Sequence, residues 1–167
     1  MFGFFKKENK KENKKENKIV APVAGKVLDL SEVPDKVFAT KLAGDGVAIE
    51  CEGNTILAPA DGILTLIFKT NHAFAITLED GTELLVHIGI DTVKLQGDGF
   101  ERVAEQGDKV KVGDPIIKID EEFIKSQGYS LITPVLITNP EDVKIIEYKT
   151  GFNAKSGKDT LLTYTLK

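Results

Sequence analysis

Short runs rich in valine, isoleucine and leucine recur along almost the whole chain, each stopped within a few residues by glycine, proline, asparagine or aspartate. This spacing constrains the fold more than any other feature. Residues 18–23, 25–30, 47–51, 54–58, 63–69, 73–78 and 82–90 are read as strands, followed by 109–112, 115–119, 133–138, 143–148 and 161–166. Runs this short and this evenly spaced predict an all-β fold, an antiparallel β-sandwich or barrel, rather than alternating strands and helices. Helical patterning is confined to a few short pieces. One is 120–127, which opens on acidic residues, carries Phe123 and Ile124 and stops at Gly128; another is 35–42.

The pattern also echoes itself. Ala21-Pro22-Val23-Ala24-Gly25-Lys26-Val27 and Ala58-Pro59-Ala60-Asp61-Gly62-Ile63-Leu64 share the form Ala-Pro-x-x-Gly-x-aliphatic, 37 residues apart. A looser pair joins 110–117 to 154–162. Such echoes suggest that one strand-turn-strand unit was used more than once.

Only two histidines occur, His72 and His87, and both flank Asp80-Gly81, a strong hairpin signal between apolar runs. If Asp80 and Gly81 alone form the loop, paired positions sum to 161 and His87 lies opposite Phe74. Both imidazoles then project from one face as diagonal neighbours, with Cα atoms roughly 7 to 8 Å apart, close enough to share a small anion. A three-residue loop would shift the register by one and separate them. A neutral imidazole is a nucleophile near neutral pH without prior activation, so the pair suits group transfer; one histidine in an apolar strand is more often a packed residue.

The 167 residues fit one domain, with a body at 19–167 and a lysine-rich arm at 1–18 that is expected to be disordered. The arm repeats Lys-Lys-Glu-Asn three times and carries +4 of the chain's net −4, leaving the body at −8. An acidic body argues against nucleic acid and suits a basic protein partner. Phe2, Phe4 and Phe5 beside the lysines suggest a weak membrane contact of the arm. No run approaches a membrane span, there is no secretory signal pattern, and the single Cys51 excludes an internal disulfide; together these predict a cytoplasmic protein.

Several stretches together resemble the glucose-type IIA component of the bacterial phosphoenolpyruvate-dependent sugar phosphotransferase system. They are Thr70-Asn71-His72-Ala73-Phe74, Val86-His87-Ile88-Gly89-Ile90-Asp91-Thr92-Val93 and Gly97-Asp98-Gly99-Phe100, supported by Val33-Pro34-Asp35-Lys36-Val37-Phe38, Gly44-Asp45-Gly46-Val47-Ala48-Ile49, 110–114 and 133–135. The resemblance implies a β-sandwich built from related halves. It implies a phosphocarrier that accepts a phosphoryl group from phospho-HPr on His87, as a phosphohistidine, and passes it to a cysteine of a sugar-permease IIB domain. His72 would stabilise the phosphoryl oxygens and Thr70 would orient His72. Asp35, Val37, Phe38, Phe68, Phe74, Asp91 and Val93 fall where the family has its partner surface. No cofactor is implied beyond a zinc that His72 and His87 would share with a partner.

A lysostaphin-type zinc endopeptidase would share the fold and the His-x-x-x-Asp spacing of His87 and Asp91. A catalytic zinc needs three protein ligands, and no His-x-His occurs. The dedicated lysine motif of a biotinyl or lipoyl carrier is likewise missing. The runner-up is a regulatory binding protein whose apolar face binds permeases or kinases according to its phosphorylation state.

Overall fold

A computed structural model describes residues 15–167. Among the described residues fourteen strands form three antiparallel sheets. The largest runs β13-β2-β3-β11-β7-β6-β5-β9, with β2 at Gly25–Asp29, β3 at Asp45–Cys51, β5 at Gly62–Ile67, β6 at Ala73–Thr77, β7 at Glu83–His87, β9 at Lys109–Val110, β11 at Ile132–Ile137 and β13 at Asn153–Ala154. Two three-stranded sheets complete the sandwich. One is β1-β14-β12 (Asn17–Val20, Thr160–Leu166, Val143–Tyr148) and the other is β4-β10-β8 (Thr55–Leu57, Pro115–Ile119, Phe100–Arg102).

Strand alternation sorts the side chains of the large sheet onto two faces, one on the main core and one covered in part by a second cluster. Val27, Val47, Ile49, Leu84, Val86, Val135 and Ile137 point into the main core, where they meet Ile19, Ile56, Ile117, Leu162 and Tyr164 of the small sheets. Their neighbours Leu28, Ala48, Leu85 and Leu136 point the other way, into a second cluster with Leu30, Val33 and Phe38. That outer cluster is roofed by a 3-10 turn at Leu30–Glu32 and the short helix α1, Lys36–Ala39. The second helix, α2, spans Glu121–Ser126, with Asp120 capping it through Phe123 N.

The internal echo is a structural pseudo-symmetry. Gly25 pairs with Ala154, and 37 residues on, Gly62 pairs with Val110. Val20 N–H donates to Pro59 O and Leu57 N–H to Pro22 O, so each copy bonds the other under the same offset. Ala21 exchanges bonds with Gly157 and Asp159, as Ala58 does with Gly113 and Asp114. The Asp159 and Asp114 carboxylates cap matching turns at Lys155 N and Lys111 N.

Three expectations need correction. The β6–β7 loop has three residues, not two. Leu78 N–H donates to Thr82 O and Gly81 N–H to Leu78 O, with Gly81 at φ 88, a type I turn followed by a left-handed glycine. Paired positions therefore sum to 160, with Ala73 across from His87 and Phe74 across from Val86. Asn17 and Lys18 belong to β1, so the ordered body begins before the expected boundary at 19; the arm's residues 1–14 and Phe2, Phe4 and Phe5 lie outside the described residues. The strands at 100–102 and 153–154 were not expected, being too short to carry a pattern of their own.

Candidate functional site

His87 ends β7. By alternation it shares the face of Leu85 and so points at the roof of the outer cluster, where the Phe38 ring lies 5.0 Å from its own, centroid to centroid. The helix that presents Phe38 starts at Asp35, whose carboxylate accepts from Val37 N at 2.9 Å. The β11–β7 ladder stops at Val135 and Val86, one pair short of Pro134, which has no N–H to donate, so the chain leaves the sheet just past His87. The released turn brings Gly89 O within 2.8 Å of His87 Nδ1. A carbonyl only accepts, so Nδ1 carries the proton and Nε2 keeps its lone pair.

His72 arrives from the β5–β6 connection. It lies in a bend one residue before β6, after Asn71 with φ 58, while its carbonyl still accepts from Ile88 N–H at 2.7 Å in the β6–β7 register. That bend is why the shifted register leaves the two imidazoles together, contrary to expectation: their centroids are 5.0 Å apart and nearly perpendicular at 81°. The Phe68 ring stands edge-on to His72 at 5.3 Å, and Thr70 Oγ1 sits 2.5 Å from His72 Nδ1. With Thr70 as donor, His72 Nε2 carries the proton and is the ring's remaining donor. His72 is 4% exposed, and desolvation first, then the His87 ring, pushes its pKa down to about 4. Desolvation lowers His87 as well, opposed by the Gly89 bond and by the charges of Asp35 and Asp91. Both rings are thus neutral near pH 7, one with a free lone pair and the other with a free N–H.

Of the expected docking residues, Val37 (49% exposed), Phe68 (36%) and Val93 (48%) present apolar surface, and the Phe68 ring lies against His72. Phe38 is mostly buried and reaches the site through its ring contact with His87. Asp35 is half-buried and Asp91 exposed. Phe74 is a correction: with the register at 160 it shares the core face with Val86 and is fully buried, so it belongs to the main core and not to any docking face. Sequence reasoning missed Leu42, 79% exposed just beyond α1, because the region 35–42 reads as one helix. It also left the partner of His87 Nδ1 open, since a backbone carbonyl leaves no mark in a sequence.

Residues 17–143 match the family model described as phosphoenolpyruvate-dependent sugar phosphotransferase system, EIIA 1. The chain belongs to that family. Among relatives of this IIA chain, the PTS system glucose-specific EIIA component of Borreliella burgdorferi is 50% identical over 133 residues, 80% of this chain and 70% of that protein. Its counterpart in Haemophilus influenzae is 45% identical over 148 residues, covering 89% and 87%. The glucoside-specific EIICBA component of Staphylococcus carnosus is 44% identical over 144 residues, which are 86% of this chain but 21% of that longer protein. The solved glucose permease IIA of Mycoplasma capricolum superposes with a TM-score of 0.84 at 37% identity, covering 89% of this chain and 96% of that one. The IIA chain is therefore of glucose type, with a phosphocarrier role in sugar uptake.

Among the described residues no group of three or more His, Cys, Asp or Glu gathers to hold a metal. The two imidazoles fall short of a complete zinc ligand set, and a zinc shared with a partner would draw its remaining ligands from that partner. Nor, among the described residues, is any helix long and apolar enough to cross a membrane.

Proposed function

We propose that His87 Nε2 accepts the phosphoryl group of phospho-HPr and gives it up to a cysteine of a sugar-permease IIB domain. The observation that carries this reading is the His87 Nδ1–H···O Gly89 bond, which leaves Nε2 as the free lone pair. In each transfer the attacking atom forms its bond to phosphorus as the bond to the departing one breaks, so the protein's work is alignment and charge stabilisation. His72 Nε2–H, held by Thr70 at Nδ1, donates to the phosphoryl oxygens. HPr and the IIB domain dock in turn on Val37, Phe38, Phe68 and Val93, with Asp35 and Asp91 attracting a basic partner. The exchange is expected in the cytoplasm.

Incubation with phosphoenolpyruvate, enzyme I and HPr, followed by intact-mass analysis, tests the proposal. One acid-labile phosphate is expected on the wild type. His87→Ala takes up none, and His72→Gln takes it up but passes it on poorly. Phosphate on a serine, or none under conditions that label a known IIA component, would favour the regulatory reading, in which the same apolar rim binds its partners without transferring anything.

A further inference from the structure

The chain holds a single arginine, Arg102, among 22 basic residues. It ends β8, in a different sheet from His87, and among the described residues it forms no salt bridge. Its guanidinium instead spans the turn that carries His72: Nε donates to Asn71 Oδ1 at 2.9 Å and Nη2 to Phe68 O at 3.4 Å. That turn is otherwise closed by its own backbone, with Asn71 N–H to Phe68 O at 2.8 Å and Phe68 N–H to Ala73 O at 3.0 Å. Its geometry depends on Asn71 standing at φ 58, in the left-handed region that asparagine enters more readily than most residues bearing a side chain.

We infer that Arg102 is a positioning residue for phosphoryl transfer, acting through Asn71 and Phe68 to hold the turn that aims Thr70 and His72 at His87. The inference rests on the phosphocarrier reading for its consequence in transfer, though not for its effect on the turn. The chemistry of the fork is what the place asks for. Two N–H groups on one rigid plane reach two acceptors three residues apart, which the point charge of a lysine does not do. The same clamp fixes both ends of the turn. Phe68, whose ring lies against His72, is held by its carbonyl; Asn71, the residue before His72, is held by its side chain. Release of the turn lets the Thr70–His72 pair drift, and the tautomer of His72 loses its single preferred state.

The test uses the full chain with Arg102→Ala, Arg102→Lys, Asn71→Gly and the double variant Arg102→Ala/Asn71→Gly. Asn71→Gly keeps the positive φ and removes the anchored side chain. The first readout is the ring-nitrogen NMR spectrum of His72 in the unphosphorylated protein at neutral pH. The wild type is expected to show one tautomer, protonated at Nε2, and Arg102→Ala and Asn71→Gly a mixture, with Arg102→Lys between. The second readout is transfer from phosphorylated His87 to a glucose-type IIB domain. It should fall about tenfold in Arg102→Ala and Asn71→Gly, and by less in Arg102→Lys. The double variant should fall no further than Arg102→Ala alone, because that substitution already removes the contact that Asn71→Gly removes.

Should Arg102→Ala fail to fold, Asn71→Gly and Arg102→Lys carry the comparison. Unchanged His72 spectra together with unchanged transfer in Asn71→Gly and Arg102→Lys would overturn the inference. If the wild type takes no phosphate on His87, the phosphocarrier reading falls, while the spectra still decide what Arg102 does to the turn.

Discussion

Gly89 holds His87 by its carbonyl, and it occupies that position only because it lacks a side chain. At φ 80, a Cβ would stand 2.5 Å from Thr92 Cγ2 and 2.8 Å from Ser130 O. Gly89→Ala is therefore expected to move the turn, weaken the Nδ1–H bond and cost about 1–3 kcal/mol in urea unfolding. Labelling by phospho-HPr should slow more than this loss of stability explains, measured at a temperature where the variant stays folded. A variant that unfolds like the wild type and labels at its rate would deny Gly89 the role of orienting the nucleophile.

Low pH should expose the cost of burying His72. His72 has a pKa of about 4 in the folded chain against 6.5 ordinarily, so between these values the unfolded chain binds a proton that the folded chain refuses. Stability thus falls as pH drops from about 6.5 to about 4, by up to about 3 kcal/mol, and this loss is absent above pH 6.5. The carboxylates of Asp29 and Asp80, held below their ordinary 3.8, lose their contributions only at lower pH. His72→Gln should flatten the dependence of urea midpoints across that window. A variant as pH-sensitive as the wild type would contradict the assignment.

The apolar rim and the core predict opposite responses. Val37→Asp and Val93→Asp place a charge on exposed positions and should leave stability within about 0.5 kcal/mol, while HPr binding, followed by titration, weakens roughly tenfold. Phe74→Ala empties the main core and should cost about 3–5 kcal/mol. HPr binding unaffected by both aspartates would move the docking face elsewhere.

Tyr164 donates its hydroxyl to Asp80 Oδ2 at 2.8 Å, while Asp80 Oδ1 accepts from Thr82 N, so the last strand pins the β6–β7 turn. Tyr164→Phe should lower stability by about 1.5–3 kcal/mol, the range for a bond to a charged group, and leave His87 labelling near the wild-type rate. A stability change under 0.5 kcal/mol would mean that the bond contributes nothing net.

How much of this was legible in the sequence depended on whether a feature left a residue pattern. The all-β class, the duplication and most strands were readable because β-branched runs and turn residues recur; 115–119 and 143–148 coincide with β10 and β12. The histidine pair was readable as well, yet for an incomplete reason. Asp-Gly signals a turn equally well in two- and three-residue loops, and the difference of one residue decides which face Phe74 takes. What restored the pair was the left-handed Asn71, invisible as such in a chain where asparagine is common in turns. Arg102 gave no local signal, since its contacts lie more than 30 residues away.

The pairing of β1 with β14 sets Asn17 beside Tyr164, near the chain's last residue, on one small sheet. A polypeptide fused ahead of the domain and one fused behind it would leave from neighbouring strands, so either attachment can be made without breaking into the core. The same closeness makes a cyclic permutation of the domain geometrically feasible with a short joining peptide.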